Sequence, residues 1–174
     1  PLCVVVAEAL LRCLLDAGVP VIQLREKNAA DKQLVEQAEA VKRRMQGTSV
    51  LLFVNDRVDI ALAAGAHGVH LGQDDISLEA ARAMAGDRLL IGVSTHSMKE
   101  ANKARLFGPD YMSVGAVFAS PTKPDRRPVG TTLVTAVARK FGIPVVAIGG
   151  INAENAAQVA AAGASGAAVI SDLS

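Results

Sequence analysis

Short apolar runs recur along this chain at a nearly constant spacing, and that repeat constrains the fold more than any single motif. Strand-like runs fall at 21–25, 50–54, 68–72, 90–94, 111–115, 144–149 and 166–171. Amphipathic stretches separate them. In 31–45, Leu34, Ala38, Val41 and Met45 share one stripe behind Asp31, which is placed to cap a helix. Ser77 is placed to cap 78–85, and Ser97 with Glu100 makes a capping box for 98–107. Helical patterns at 132–141 and 153–162 complete the set, with Gly65, Gly108, Gly142 and Gly163 where helices would end. A βα unit repeated every roughly 20–25 residues predicts an α/β fold, a parallel sheet with helices outside it.

Strands that are apolar throughout, such as Pro144-Val-Val-Ala-Ile148, suit a sheet covered on both faces. Polar residues recur at the C-terminal end of nearly every strand. A (β/α)8 barrel, the TIM-barrel class, gathers its site at that end, whereas an open doubly wound sheet binds ligands only at its switch point. The barrel is therefore the expected architecture, as a single domain over 1–174. Seven strands are visible where a barrel needs eight. Residues 1–17 read as a helix, with Val4, Ala7, Leu11, Leu14 and Leu15 on one side. On this reading the first strand and the last helix are absent from the chain.

Composition narrows the partners. A net charge of +1 gives no reason to expect nucleic acid or an acidic membrane surface, and one Tyr, four Phe and no Trp leave little for stacking bases. No apolar run reaches the roughly 20 residues of a membrane span. Cys3 and Cys13 fall in an apolar helical pattern, which predicts buried thiols and a reducing, cytoplasmic setting.

The strand ends carry the chemistry. After Val21-Ile22, strand alternation would put Gln23, Arg25 and Lys27 on one face and Leu24 and Glu26 on the other. Two cations at the end of an apolar strand call for an anionic partner, because unpaired buried charge is costly. A solvated edge strand is the plainer role. Asp56 and Asp75 end adjacent strands, so their carboxylates could meet; such a pair suits Mg²⁺, which takes one or two carboxylates plus water and phosphate oxygens. Alternatively, Asp74 or Asp75 merely caps a turn and Asp56 pairs with Arg57. Gly149-Gly150-Ile-Asn152 would open the helix 153–162 as a phosphate-binding start, or serve only the turn. The long connection 116–130, with Lys123, Arg126 and Arg127, reads as a lid over an anion or as a flexible loop. His70 reads as a hydrogen-bonded residue lining the barrel, His67 and His96 as solvated. Neither a Ser-His-Asp order nor a zinc-ligand spacing is visible.

Gln23-Leu-Arg-Glu-Lys27, Asn55-Asp56, His70-Leu-Gly-Gln-Asp-Asp75, Gly92-Val-Ser94-Thr, Ser120-Pro-Thr122-Lys123 and Ile148-Gly-Gly150-Ile together resemble the thiamine-phosphate synthase family. The resemblance runs in order over practically the whole chain. It implies a transferase that joins hydroxymethylpyrimidine diphosphate to thiazole phosphate, releasing diphosphate. By motif position, Gln23, Arg25, Glu26, Lys27, Asn55, Ser94 and Lys123 would hold the pyrimidine diphosphate. Ser120, Thr122, Gly150, Ile170 and Ser171 would hold the thiazole phosphate, and Asp56 and Asp75 would bind Mg²⁺. Arg25, Lys27 and Lys123 would be the catalytic cations. The implied reaction is dissociative, diphosphate leaving before the thiazole nitrogen captures a pyrimidine cation. Ser120 stands where the family usually has Thr, and Ala116 where it often has Pro. The implied partners are the small-molecule substrates, with a homo-oligomer compatible and neither nucleic acid nor membrane. The rivals are a thiazole tautomerase-like paralogue, another phosphate-binding barrel enzyme such as an epimerase or aldolase, and a non-catalytic phosphate-binding barrel.

Overall fold

The computed structural model describes residues 2–4, 8–119 and 127–169. The chain divides into two compact units, an N-terminal one over Leu2–Ile91 and a C-terminal one from Gly92 onward. In the first, β1 (Leu2–Val4), α1 (Glu8–Asp16), β2 (Val21–Leu24), α2 (Asp31–Arg44), β3 (Leu51–Asn55), α3 (Val58–Ala63), β4 (Gly68–Leu71) and α4 (Leu78–Ala85) alternate strictly. From β5 (Leu90–Thr95), which spans the boundary, the second unit continues with α5 (Met98–Arg105), β6 (Tyr111–Gly115), α6 (Gly130–Phe141), β7 (Val145–Ile148), α7 (Ala156–Ala161) and β8 (Gly166–Val169). Strands pair in parallel and in chain order, the (β/α)8-barrel class that the repeat predicts.

All seven expected strands form, within two residues of their expected ends. An eighth, β1, precedes them, its Cys3 and Val4 pairing with Val21 and Ile22. Residues 1–17 are therefore not one helix; the helix begins at Glu8. The β-branched and leucine residues at 2–6 serve a strand as readily as a helix, and periodicity over so short a run does not separate the two. Cys3 lies in that strand, and Cys13 is an exposed free thiol rather than a buried one. It sits on the solvent side of α1, whose Leu11 and Leu14 are buried.

Burial on both faces follows from the apolar runs. In β3, Leu52, Phe53 and Val54 are all buried, so neither face is left to water. The helix caps follow the sequence less closely. The Ser77 hydroxyl does accept from the Ala80 N–H at 3.2 Å. Ser97 accepts from the Glu100 N–H at 3.2 Å, but Glu100 reaches back to the His96 N–H at 2.7 Å instead of closing a capping box on Ser97. Asp31 is the first helical residue of α2; Ala30 occupies the cap position without a side-chain bond. Its carboxylate is free for an ion pair with Arg57.

Close packing fixes one glycine that the motifs do not mention. A Cβ on Gly68 in β4 would lie 2.5 Å from Phe53 Cζ and 2.6 Å from the Leu90 carbonyl oxygen. Phe53 occupies the space a side chain would need, and a buried ring cannot retreat without displacing its neighbours. Gly68→Ala is expected to cost about 1–3 kcal/mol, read as a lower urea midpoint at unchanged slope; an unchanged midpoint would show that the Phe53 ring moves freely.

Candidate active site

Three consecutive strands of the N-terminal unit, β2 to β4, and the loops that follow them deliver half of the expected residues. Gln23 is buried in β2, paired in register with Phe53. The strand stops at Leu24, so Arg25, Glu26 and Lys27 belong to the following loop. Alternation therefore does not carry through Lys27 as the sequence suggests. Arg25 is half-buried, while Glu26 and Lys27 are exposed. Glu26 accepts from the Asn28 N–H at 3.2 Å and so shapes the loop.

Asn55 is the last residue of β3, opposite His70 of β4. The chain then turns sharply. Asp56 has φ 64°, a left-handed conformation that Asp tolerates better than most residues. Its N–H donates to the His70 carbonyl at 2.8 Å, and the Arg57 N–H donates to the Asn55 carbonyl at 2.8 Å. Asp75 lies in the loop after β4, where one carboxylate oxygen accepts from the Gly72 N–H at 2.6 Å. It does hold its turn, but it also meets Asp56. Burial, together with a hydrogen bond and like charge from Asp75, pushes the Asp56 carboxyl up to about 6, against the opposing pull of Arg25 and Lys27. Two carboxylates and two cations are thus gathered in one place. Asp74 is exposed.

Arg57 does not pair with Asp56. Its guanidinium is held by Asp59 and Asp31 at 2.6 Å each. Among the described residues no group of three or more His, Cys, Asp or Glu could hold a metal ion. A pair of carboxylates is nevertheless a sufficient protein contribution for a hard ion that keeps waters and phosphate oxygens.

Ser94 and Gly150 lie in the C-terminal unit. Ser94 of β5 pairs in register with Ser113 of β6, whose buried hydroxyl donates to it at 3.5 Å. Thr95, beside it, donates to the Ser113 carbonyl at 2.9 Å and is fully buried. Gly149 and Gly150 have φ 95° and 63°. A Cβ at Gly150 would strike the Ala119 carbonyl oxygen and come within 2.9 Å of Phe118 Cβ. This pair does not open a helix. α7 starts at Ala156, and the intervening turn is closed by Asn152 and Asn155, Asn155 also donating to the Gly150 carbonyl at 2.8 Å. The ends of the connection 116–130 are stapled together, Val129 and Gly130 donating to the Ala116 and Val117 carbonyls at 2.8 and 3.1 Å. Ser120, Thr122, Lys123, Arg126, Ile170 and Ser171 lie outside the described residues.

The histidines part from expectation in one case, His96, which is half-buried. His70 is buried in β4, as foreseen. His67, though exposed, accepts from the Leu52 N–H on Nδ1 at 2.9 Å, and burial with the nearby Lys42 holds its pKa below the ordinary value. His96 contacts the Glu100 carboxylate at 2.9 Å. Sequence inspection also missed the part of Ser113, an unremarkable serine inside a strand run.

Parallel βα units whose strand ends gather paired carboxylates and cations define a (β/α)8-barrel enzyme suited to a small anionic ligand. A family model described as thiamine monophosphate synthase matches residues 5–173. The thiamine-phosphate synthase of Chloroflexus aurantiacus is 46% identical over 164 residues, 94% of this chain and 76% of the relative. That of Syntrophomonas wolfei is 44% identical over 157 residues, 90% of this chain and 75% of the relative. The solved thiamine phosphate pyrophosphorylase of Pyrococcus furiosus superposes with a TM-score of 0.89 at 38% identity, covering 98% of this chain and 85% of that one. The chain belongs to the thiamine monophosphate synthase family and is an enzyme of the transferase class. Among the described residues no helix is long and apolar enough to cross a membrane.

Proposed function

We propose that the chain transfers the hydroxymethylpyrimidine group from its diphosphate to a thiazole phosphate, giving thiamine phosphate and diphosphate in the cytoplasm. The carbon–oxygen bond to diphosphate breaks with its electron pair leaving on oxygen. The thiazole nitrogen then supplies the pair for the new carbon–nitrogen bond. The meeting of Asp56 with Asp75 under the charges of Arg25 and Lys27 carries this reading. A departing diphosphate gains negative charge, and preorganised cations stabilise that charge more in the transition state than before it.

Gln23, Asn55 and Ser94 would hold the pyrimidine diphosphate with Arg25, Lys27 and Lys123, while Glu26 shapes the loop that carries two of them. Ser120, Thr122, Gly150, Ile170 and Ser171 would hold the thiazole phosphate. Asp56 and Asp75 fit Mg²⁺, since a divalent cation favours the charged carboxylates that burial and their mutual repulsion disfavour; when bound it neutralises phosphate oxygens. The protein groups supply the rest: they orient the diphosphate, exclude water from a reactive carbon and keep the charge balanced as the bond lengthens.

Diphosphate release by the protein, given both substrates with Mg²⁺ and then with EDTA, tests the reading. Release is expected only with both substrates and is expected to stop on chelation. Release that continues unchanged in EDTA would remove the metal role of Asp56 and Asp75, and no release at all would remove the transferase reaction proposed here.

A further inference from the structure

Arg57 directly follows Asp56, yet its guanidinium is committed to two other carboxylates. Nε donates to Asp59 Oδ1 at 2.9 Å and Nη2 to Asp59 Oδ2 at 2.6 Å, a fork-on-fork pair. Nη1 donates to Asp31 Oδ1 at 2.6 Å. These partners belong to different segments. Asp59 stands in the first turn of α3, immediately beyond the turn that presents Asp56. Asp31 is the first residue of α2, where the loop carrying Arg25 and Lys27 ends. One planar side chain therefore joins the loop that bears the cations to the turn that bears the carboxylate.

We propose that Arg57 is a positioning residue for the diphosphate site, fixing the loop 25–30 relative to Asp56 through Asp31 while Asp59 holds the guanidinium in place. The inference rests on the roles proposed above for Arg25, Lys27 and Asp56. Within the loop Glu26 accepts from the Asn28 N–H, and Asp31, paired with Arg57, anchors its α2 end. Arginine suits the task because its planar fork serves two carboxylates at once, which the single ammonium of lysine cannot reproduce. A purely structural role predicts something different. Arg57 is 36% exposed and Asp31 72%, and ion pairs this exposed add little to global stability. Loss of the link is therefore expected to disturb ligand binding far more than folding.

The test uses the whole chain with Mg²⁺ present and inorganic diphosphate as probe, its affinity measured by calorimetry beside steady-state kinetics and melting temperature. Arg57→Gln and Asp31→Asn are each expected to weaken diphosphate binding about tenfold, less than the roughly hundredfold that a 1 Å misplacement of catalytic geometry can cost. The KM for the pyrimidine diphosphate should rise by a similar factor, with the melting temperature nearly unchanged. Their double variant should be no weaker than the worse single one, because both break the same link. Arg57→Lys should recover part of the loss. Wild-type affinity in Arg57→Gln or in Asp31→Asn, or additive losses in the double variant, would overturn the proposal; should Arg57→Gln fail to fold, Asp31→Asn decides alone. Arg25→Ala separates the two levels of the argument. Wild-type diphosphate binding in that variant removes the underlying site, whereas weakened binding there with normal binding in Arg57→Gln removes only the role of Arg57.

Discussion

Replacing Arg25 by alanine is expected to lower turnover at least about a hundredfold in a protein that remains folded, since one preorganised charge contact of this kind is worth about 3 kcal/mol in the transition state. Arg25 sits one residue beyond β2, half-buried, with its charge acting on Asp56. It is a loop residue, so its removal opens no cavity among the core side chains that the strands bury. The effect should appear in turnover and in diphosphate affinity alike, because Arg25 holds the diphosphate and the charge it meets grows further as that group departs. Steady-state kinetics with a melting curve checks this. Wild-type turnover in the folded variant would end the assignment of Arg25.

Asp56→Asn should be equally damaging to turnover, about a hundredfold or more, and should do something else besides. Asparagine accepts the left-handed backbone at this position, so the φ of 64° is no obstacle. What changes is the charge. The Asp56 carboxyl titrates near 6 in the folded chain against an ordinary 3.8. The folded state therefore binds the proton more tightly than the unfolded one. That contribution to stability is fully present below the unfolded value and is lost as pH rises through about 6. Asparagine does not titrate. In EDTA, the melting temperature of the variant relative to the parent should therefore climb between about pH 4 and pH 6 and level off above it. An inactive variant whose melting difference ignores pH would leave the electrostatic account of this pair without support.

These expectations mark where sequence and structure divide the work. The repeat of apolar runs predicted strands at 51–55 and 111–115 to within a residue, because a strand buried on both faces cannot hide its composition. Ser77 was legible as a cap because capping is local, set by three neighbouring residues. Asp31 was not, since its carboxylate answers to Arg57, 26 residues away. β1 was missed because three strand residues followed by a helix resemble one amphipathic run.

At the site the same division holds. The carboxylates and cations at the strand ends could be listed from the sequence, and adjacent strand order alone suggested that Asp56 and Asp75 would meet. Which carboxylate Arg57 would choose was beyond sequence, as was the turn that separates Gly150 from α7. Periodicity and residue type determined the class of fold and the chemical inventory, because burial of apolar surface is roughly additive along the chain. Only tertiary structure decided the pairings, since a hydrogen bond or ion pair depends on distances of a few ångströms between segments that the chain itself keeps far apart.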